Sequence, residues 1–191
     1  MRLFSALYAR AMVWARHPRA PYFLAGLSFA ESSFFPIPPD VMLAPMALAR
    51  PRQAWAYAAI TTAASVVGGL AGYLIGWLAF GLIEPILQRA GYWEGYLAAR
   101  AWFDAWGFWA IFVAGFSPIP YKLFTIAAGV IGMPLVPFVL ASTIGRGGRF
   151  FLVAGLMARG GERMEKALHR YVDRIGWATV VALVVVYFWA R

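Results

Sequence analysis

The 191-residue sequence contains no cysteine. That absence excludes disulfides, thiolate metal sites and a cysteine nucleophile. Histidine is nearly absent too. His17 and His169 both sit in basic flanks, and we read them as interfacial residues, with no metal ligand and no cofactor expected. No nucleophile–base pair, zinc signature or phosphatase-like histidine motif is present, so an enzyme is not expected. Charge is scarce, at 13% of residues against 62% hydrophobic. A soluble domain carries about a quarter charged residues, so the chain reads as an integral membrane protein. Acidic residues number 8 against 17 Lys and Arg, for a net charge of +9. The basic residues gather in flanks of apolar segments, which marks them as topology signals and excludes a nucleic-acid partner. No short signal-peptide core with a small-residue cleavage site follows Met1.

What the sequence does contain is a repeated break. Phe34-Phe35-Pro36-Ile37-Pro38-Pro39-Asp40 interrupts a long apolar segment, and Phe116-Ser117-Pro118-Ile119-Pro120-Tyr121-Lys122 repeats it 82 residues later. In that register Asp40 falls on Lys122. Proline fixes its own φ, donates no N–H and pushes its predecessor toward an extended conformation. Residues 35–39 and 117–120 are therefore predicted to be non-helical, with Pro36, Pro38, Pro39, Pro118 and Pro120 as structural turns. Non-helical backbone at membrane depth is tolerated only where protein or a wet cavity satisfies it. Two breaks in corresponding places point to a site at a repeat interface; the bland alternative is a pair of kinked spanning helices.

The chain divides around these breaks. Residues 1–19 group Leu3, Phe4, Leu7, Ala11 and Trp14 opposite arginines, the pattern of a basic helix lying in the membrane surface. Residues 21–49 suit a first re-entrant hairpin: each arm is too short for a hydrocarbon core of about 30 Å, although the two together also suit one bent span. Residues 54–83 form a spanning helix on which Ala64, Gly68, Gly72 and Gly76 recur every four residues, a face that lets another helix approach closely. Residues 84–106, rich in Tyr and Trp and without a clean helical period, read as an interfacial connection. A second re-entrant hairpin follows at 107–133, then a spanning helix at 135–158, a charged cytoplasmic extension at 159–174 and a Val-rich span at 175–190.

The positive charges test this topology. If both breaks mark hairpins, the N-terminus, the 50–52 turn and the 159–174 segment share one side, with eleven Lys and Arg. The opposite side carries Arg89, Arg100 and Arg191. That bias puts the first side in the cytoplasm. It predicts an inverted repeat of opposed hairpins, a cytoplasmic N-terminus and a periplasmic C-terminus, in a bacterial inner membrane. A homo-oligomer is left open.

Five ionisable residues fall at membrane depth: Glu31, Asp40, Lys122, Arg146 and Arg149. A central charge costs about 2.5–3.5 kcal/mol on the insertion scale, so five together call for a reason. One reading is structural: Asp40 pairs with Lys122, and Glu31 with an arginine. The other is a binding site, since one positive charge is left over and arginine suits phosphate through its planar fork. On that reading Arg146, Arg149 and Lys122 bind the substrate, while Glu31 and Asp40 pair with them or carry a proton.

The run from Phe29 to Asp40, with an acidic residue, a Pro-x-Pro turn and a second acidic residue, resembles the first signature of the DedA family. This family is also called SNARE-associated or VTT-domain. The run from Gly115 to Gly129 resembles the second signature, and Gly68 to Gly76 the Gly-rich helix between them. The similarity covers residues 21–158 and looks closest to a short YqaA-like branch. It implies two opposed re-entrant hairpins with spanning helices. It also implies membrane lipid transport, by phospholipid scrambling or polyprenyl phosphate recycling, in some members driven by the proton gradient. Glu31 and Asp40 would be the family's acidic pair, and Arg146 and Arg149 a looser match to its basic pair. Lys122 stands where many members have arginine. The expectation is an all-α membrane protein that moves a lipid with an anionic, phosphate-bearing headgroup. A proton-coupled small-ion carrier and a non-transport scaffold are the alternatives.

Overall fold

The computed structural model describes residues 17–35, 37–117 and 120–160, and among them the only regular structure is helical. Six α-helices follow in order: α1 (Ala20–Ser33), α2 (Asp40–Ala49), α3 (Ala54–Arg89), α4 (Trp93–Phe116), α5 (Tyr121–Ile131) and α6 (Leu135–Gly160), with a 3₁₀ turn at Pro51–Gln53. The surface helix predicted before Arg19, the segment after Gly160 and the prolines Pro36 and Pro118 lie outside the described residues.

Two devices end these helices. At the breaks the device is proline. Ser117 precedes Pro118 and has ψ 161, the extended conformation that a following proline imposes. Pro120, just before α5, is extended as well. At the far ends of α3 and α5 the device is glycine. Gly91 and Gly132 both have φ 75. Behind them Tyr92 N–H donates to the Leu87 carbonyl and Met133 N–H to the Ala128 carbonyl, each at 2.9 Å. These are the long hydrogen bonds of Schellman closures, available because glycine enters the left-handed region without steric cost.

The interfacial connection predicted at 84–106 is helical over most of its length. α3 continues to Arg89 and α4 starts at Trp93, so the first arm before the second break has 24 residues. Trp93, Tyr96 and Phe103 are half-buried and Gly107 is buried, but Trp102, Trp106 and Trp109 stand exposed on the same helix. A helix apolar on both faces shows no amphipathic period, which is why its sequence hid it. α3 and α6 are long and apolar enough to cross a membrane. At 36 residues α3 is about 54 Å long, well beyond a hydrocarbon core of about 30 Å.

α3 is the spine. A Cβ at Gly68 would overlap the Phe29 carbonyl of α1, at Gly72 the Thr125 hydroxyl, and at Gly76 the Ile126 carbonyl of α5; Gly129 of α5 meets the Tyr73 carbonyl in return. The backbones touch because these side chains are missing. Ala64 is only half-buried, and Ser65 is the buried residue that continues the stripe.

Two apolar clusters result. One joins Leu24, Leu43, Met46, Tyr57 and Phe150, from α1, α2, the start of α3 and the end of α6. The other joins Tyr73, Ile111, Tyr121, Met133 and Phe138, around the far part of α3, α4, α5 and the start of α6. The buried polar residues Ser28, Ser32, Thr61, Ser65, Thr125, Ser142 and Arg146 form a layer between them.

Candidate functional site at the two helix breaks

The polar layer is built from side chains that α1, α3 and α6 bring together. Arg146 of α6 is 2% exposed. Its Nε donates to Ser65 Oγ at 2.6 Å, and its Nη2 donates to a Glu31 carboxylate oxygen and to Ser32 Oγ at 3.4 Å. Ser32 and Ser65 hydroxyls bond each other at 2.7 Å, and Ser32 also donates to Glu31 at 3.2 Å. Aromatic rings close the site: the guanidinium carbon lies 4.6 Å from the Phe150 centroid and 5.0 Å from that of Tyr121. Tyr121 in turn donates its hydroxyl to Ser142 Oγ at 2.5 Å. Buried charge is costly unless paired and hydrogen-bonded, and here both conditions are met.

Arg149 serves the second pair. It lies three residues further along α6, on the same face but about 4.5 Å along the axis. Its Nη2 donates to Asp40 Oδ2 at 2.5 Å and its Nη1 to the Ser117 carbonyl at 2.7 Å. Asp40 opens α2 after the first break, and Ser117 follows α4 at the second. One guanidinium thus ties the two breaks together. Asp40 Oδ1 is buried with no hydrogen-bond partner among the described residues.

Lys122 stands apart. Its ammonium approaches the Phe34 carbonyl at 3.4 Å, and no carboxylate lies within ion-pair distance of it among the described residues. The expected Asp40–Lys122 pair is not formed: Arg149 takes the carboxylate. The expected pairing of Glu31 with an arginine is formed, through Arg146. Of the turn prolines, Pro39 is buried just before α2, while Pro38 and Pro120 are exposed. Sequence reasoning did not single out Ser32, Ser65, Ser117 or Tyr121. A weak signal existed for Ser65, a small residue three before Gly68 on the same helix face, although the four-residue spacing pointed to Ala64. None existed for Ser117, which acts through its carbonyl. No three of His, Asp and Glu come together as a metal site among the described residues.

The VTT domain model matches residues 37–159, which include four of the five charged residues; Glu31 lies just before the match. An uncharacterized protein of Haemophilus influenzae is 46% identical over 188 residues, 98% of each chain. A homologue from Histophilus somni is 46% identical over 187 residues, again 98% of each. Undecaprenyl phosphate transporter A of Staphylococcus aureus is 30% identical over 141 residues, 69% of this chain and 68% of that one. No solved structure matches. A domain match over most of the described helices and near full-length similarity to bacterial relatives agree, and the chain belongs to the VTT-domain, or DedA, family of bacterial membrane proteins.

Proposed function

We propose that the protein moves a phosphate-bearing lipid across the bilayer of the bacterial inner membrane. The observation that carries this reading is the gathering of three cations and two carboxylates at two helix breaks, inside an otherwise apolar helical protein. Cations from this group meet the headgroup phosphate while the acyl or prenyl chains stay in lipid. The carboxylates hold the cations when no headgroup is present, and protonation of a carboxylate releases its partner, which couples movement to the proton gradient. The name of the Staphylococcus aureus relative supports a polyprenyl phosphate among the candidate substrates.

In this reading the two units are opposed re-entrant hairpins. α1 and α2, of 14 and 10 residues, are about 21 Å and 15 Å long, too short to cross alone. The first unit packs on the start of α3 and the second on its far part, as an inverted arrangement needs, and the cytoplasmic N-terminus rests on the Lys and Arg bias alone.

The test is lipid translocation in proteoliposomes, with phospholipid and polyprenyl phosphate reporters, with and without a pH gradient. Wild type should move at least one reporter well above protein-free vesicles. Arg149→Ala should slow that movement about tenfold or more, the scale of one charged hydrogen bond. No movement of any reporter by correctly folded wild type would refute the reading.

A further inference from the structure

The two arginines are held to different degrees. Arg146 is 2% exposed: its Nε donates to Ser65 and its Nη2 to Ser32 and Glu31, and the Phe150 and Tyr121 rings cover it. A ligand could reach it only by dismantling the polar layer. Arg149 is 19% exposed and its partner Asp40 22%. One oxygen of that carboxylate holds Arg149, and the other is buried without a partner among the described residues. An ionised carboxylate can accept at both oxygens, so this bridge is only half made.

Lys122 adds a second observation. It is the second residue of the 11-residue α5, where the first-turn N–H groups point outward and the helix dipole favours negative charge. A lysine there works against the helix, and the structure offers it one carbonyl at 3.4 Å. An anion beside Lys122 would meet an ammonium and a helix N-terminus together.

We propose that the ligand's phosphate is taken by Arg149 and Lys122, that Asp40 is the group it displaces, and that Arg146 with Glu31 is a positioning pair that stays closed. This rests on the phosphate-bearing ligand proposed above. Arg149 keeps the Ser117 carbonyl on Nη1 while Nη2 exchanges a carboxylate oxygen for a phosphate oxygen. The fork therefore stays aligned throughout the exchange. Asp40 then sets affinity as a built-in competitor, and of the two carboxylates only Asp40 tightens binding when neutralised.

The experiment measures binding of a polyprenyl monophosphate to the full-length protein in nanodiscs, with inorganic phosphate and the unphosphorylated polyprenol as competitors. Asp40→Asn should tighten binding about tenfold, and Arg149→Gln and Lys122→Gln should each weaken it about tenfold, the scale of one charged hydrogen bond. Glu31→Gln should bring no tightening and should lower the melting temperature. If Arg149→Gln fails to fold, Arg149→Lys, which keeps the charge and loses the fork, should also bind more weakly. Tightening by Glu31→Gln equal to that of Asp40→Asn, weakening by Asp40→Asn, or unaltered binding in the Arg149 variants would overturn the assignment while leaving lipid transport standing. Full displacement by inorganic phosphate at stoichiometric concentrations, with Arg149 and Lys122 still required, would support the assignment and move the ligand from lipid to free phosphate. Wild type that binds neither the polyprenyl monophosphate nor inorganic phosphate, or binds the polyprenol equally well, would overturn the assignment, and failure of the phospholipid reporters in proteoliposomes as well would overturn lipid transport.

Discussion

In the first unit the break is followed by Asp40, and in the second, at the equivalent position, by Lys122. Asp40 suits the helix it opens, because a negative charge at a helix N-terminus is stabilised by the dipole, and it has found an arginine on α6. Lys122, in the first turn of its helix, opposes the dipole there and meets only a backbone carbonyl among the described residues. The flanks differ as well: 14 and 10 residues around the first break, 24 and 11 around the second. The shared Pro-Ile-Pro therefore dictates where the chain leaves the helix and nothing more. The first unit's charge has an ion-pair partner, held through one of its two oxygens, and the second unit's has none among the described residues. A position that local energetics disfavours in both its helix and its partner is the kind of place where function is retained at a cost to stability.

Five substitutions sharpen or break that contrast, beginning with the largest effect. Arg146→Met leaves Glu31 buried without its cation and should destabilise the protein by about 3–5 kcal/mol, the range for breaking a buried pair. Arg149→Met should cost less than half as much, since both partners there reach solvent or headgroups. Thermal melts of the purified proteins in one detergent would show it, and equal losses would mean the two pairs are equally enclosed.

Next come the glycines. Gly129→Ala in the second unit drives a methyl into the Tyr73 carbonyl of α3 and should cost about 1–3 kcal/mol. Gly26→Ala in the first unit meets nothing within 4 Å and should be neutral or stabilising by up to about 1 kcal/mol. The signs should differ in the same melt. Loss of stability at Gly26 would mean that an unseen neighbour packs on α1.

The smallest effect on stability falls on the most telling residue. Lys122→Asp should stabilise α5 by about 0.3–1 kcal/mol through the dipole, yet abolish binding of the polyprenyl monophosphate. A variant that is both less stable and still able to bind would place Lys122 in the scaffold.

Much of this was legible in the sequence. Proline acts on its own residue and the one before it, so the limits of α1, α2, α4 and α5 at the breaks were readable without a partner. The small-residue face of α3 was readable because spacing alone puts Gly68, Gly72 and Gly76 on one side. α4 was not, because its outer face is as aromatic as its inner one. The Asp40–Lys122 pair was expected from the repeat register. Register identifies equivalent positions, and equivalent positions in two units need not touch.

Composition and local stereochemistry determined the membrane class, the two breaks and the glycine-closed end of α5, because each depends on a few neighbouring residues. Which carboxylate meets which arginine was decided only by the tertiary structure. Arg146 and Arg149 share a helix face and a charge, and a rise of about 4.5 Å along α6 separates them. That step is set by how α6 lies against α1, α2 and α3. It puts one guanidinium among serines and aromatic rings and the other at the seam between the two breaks.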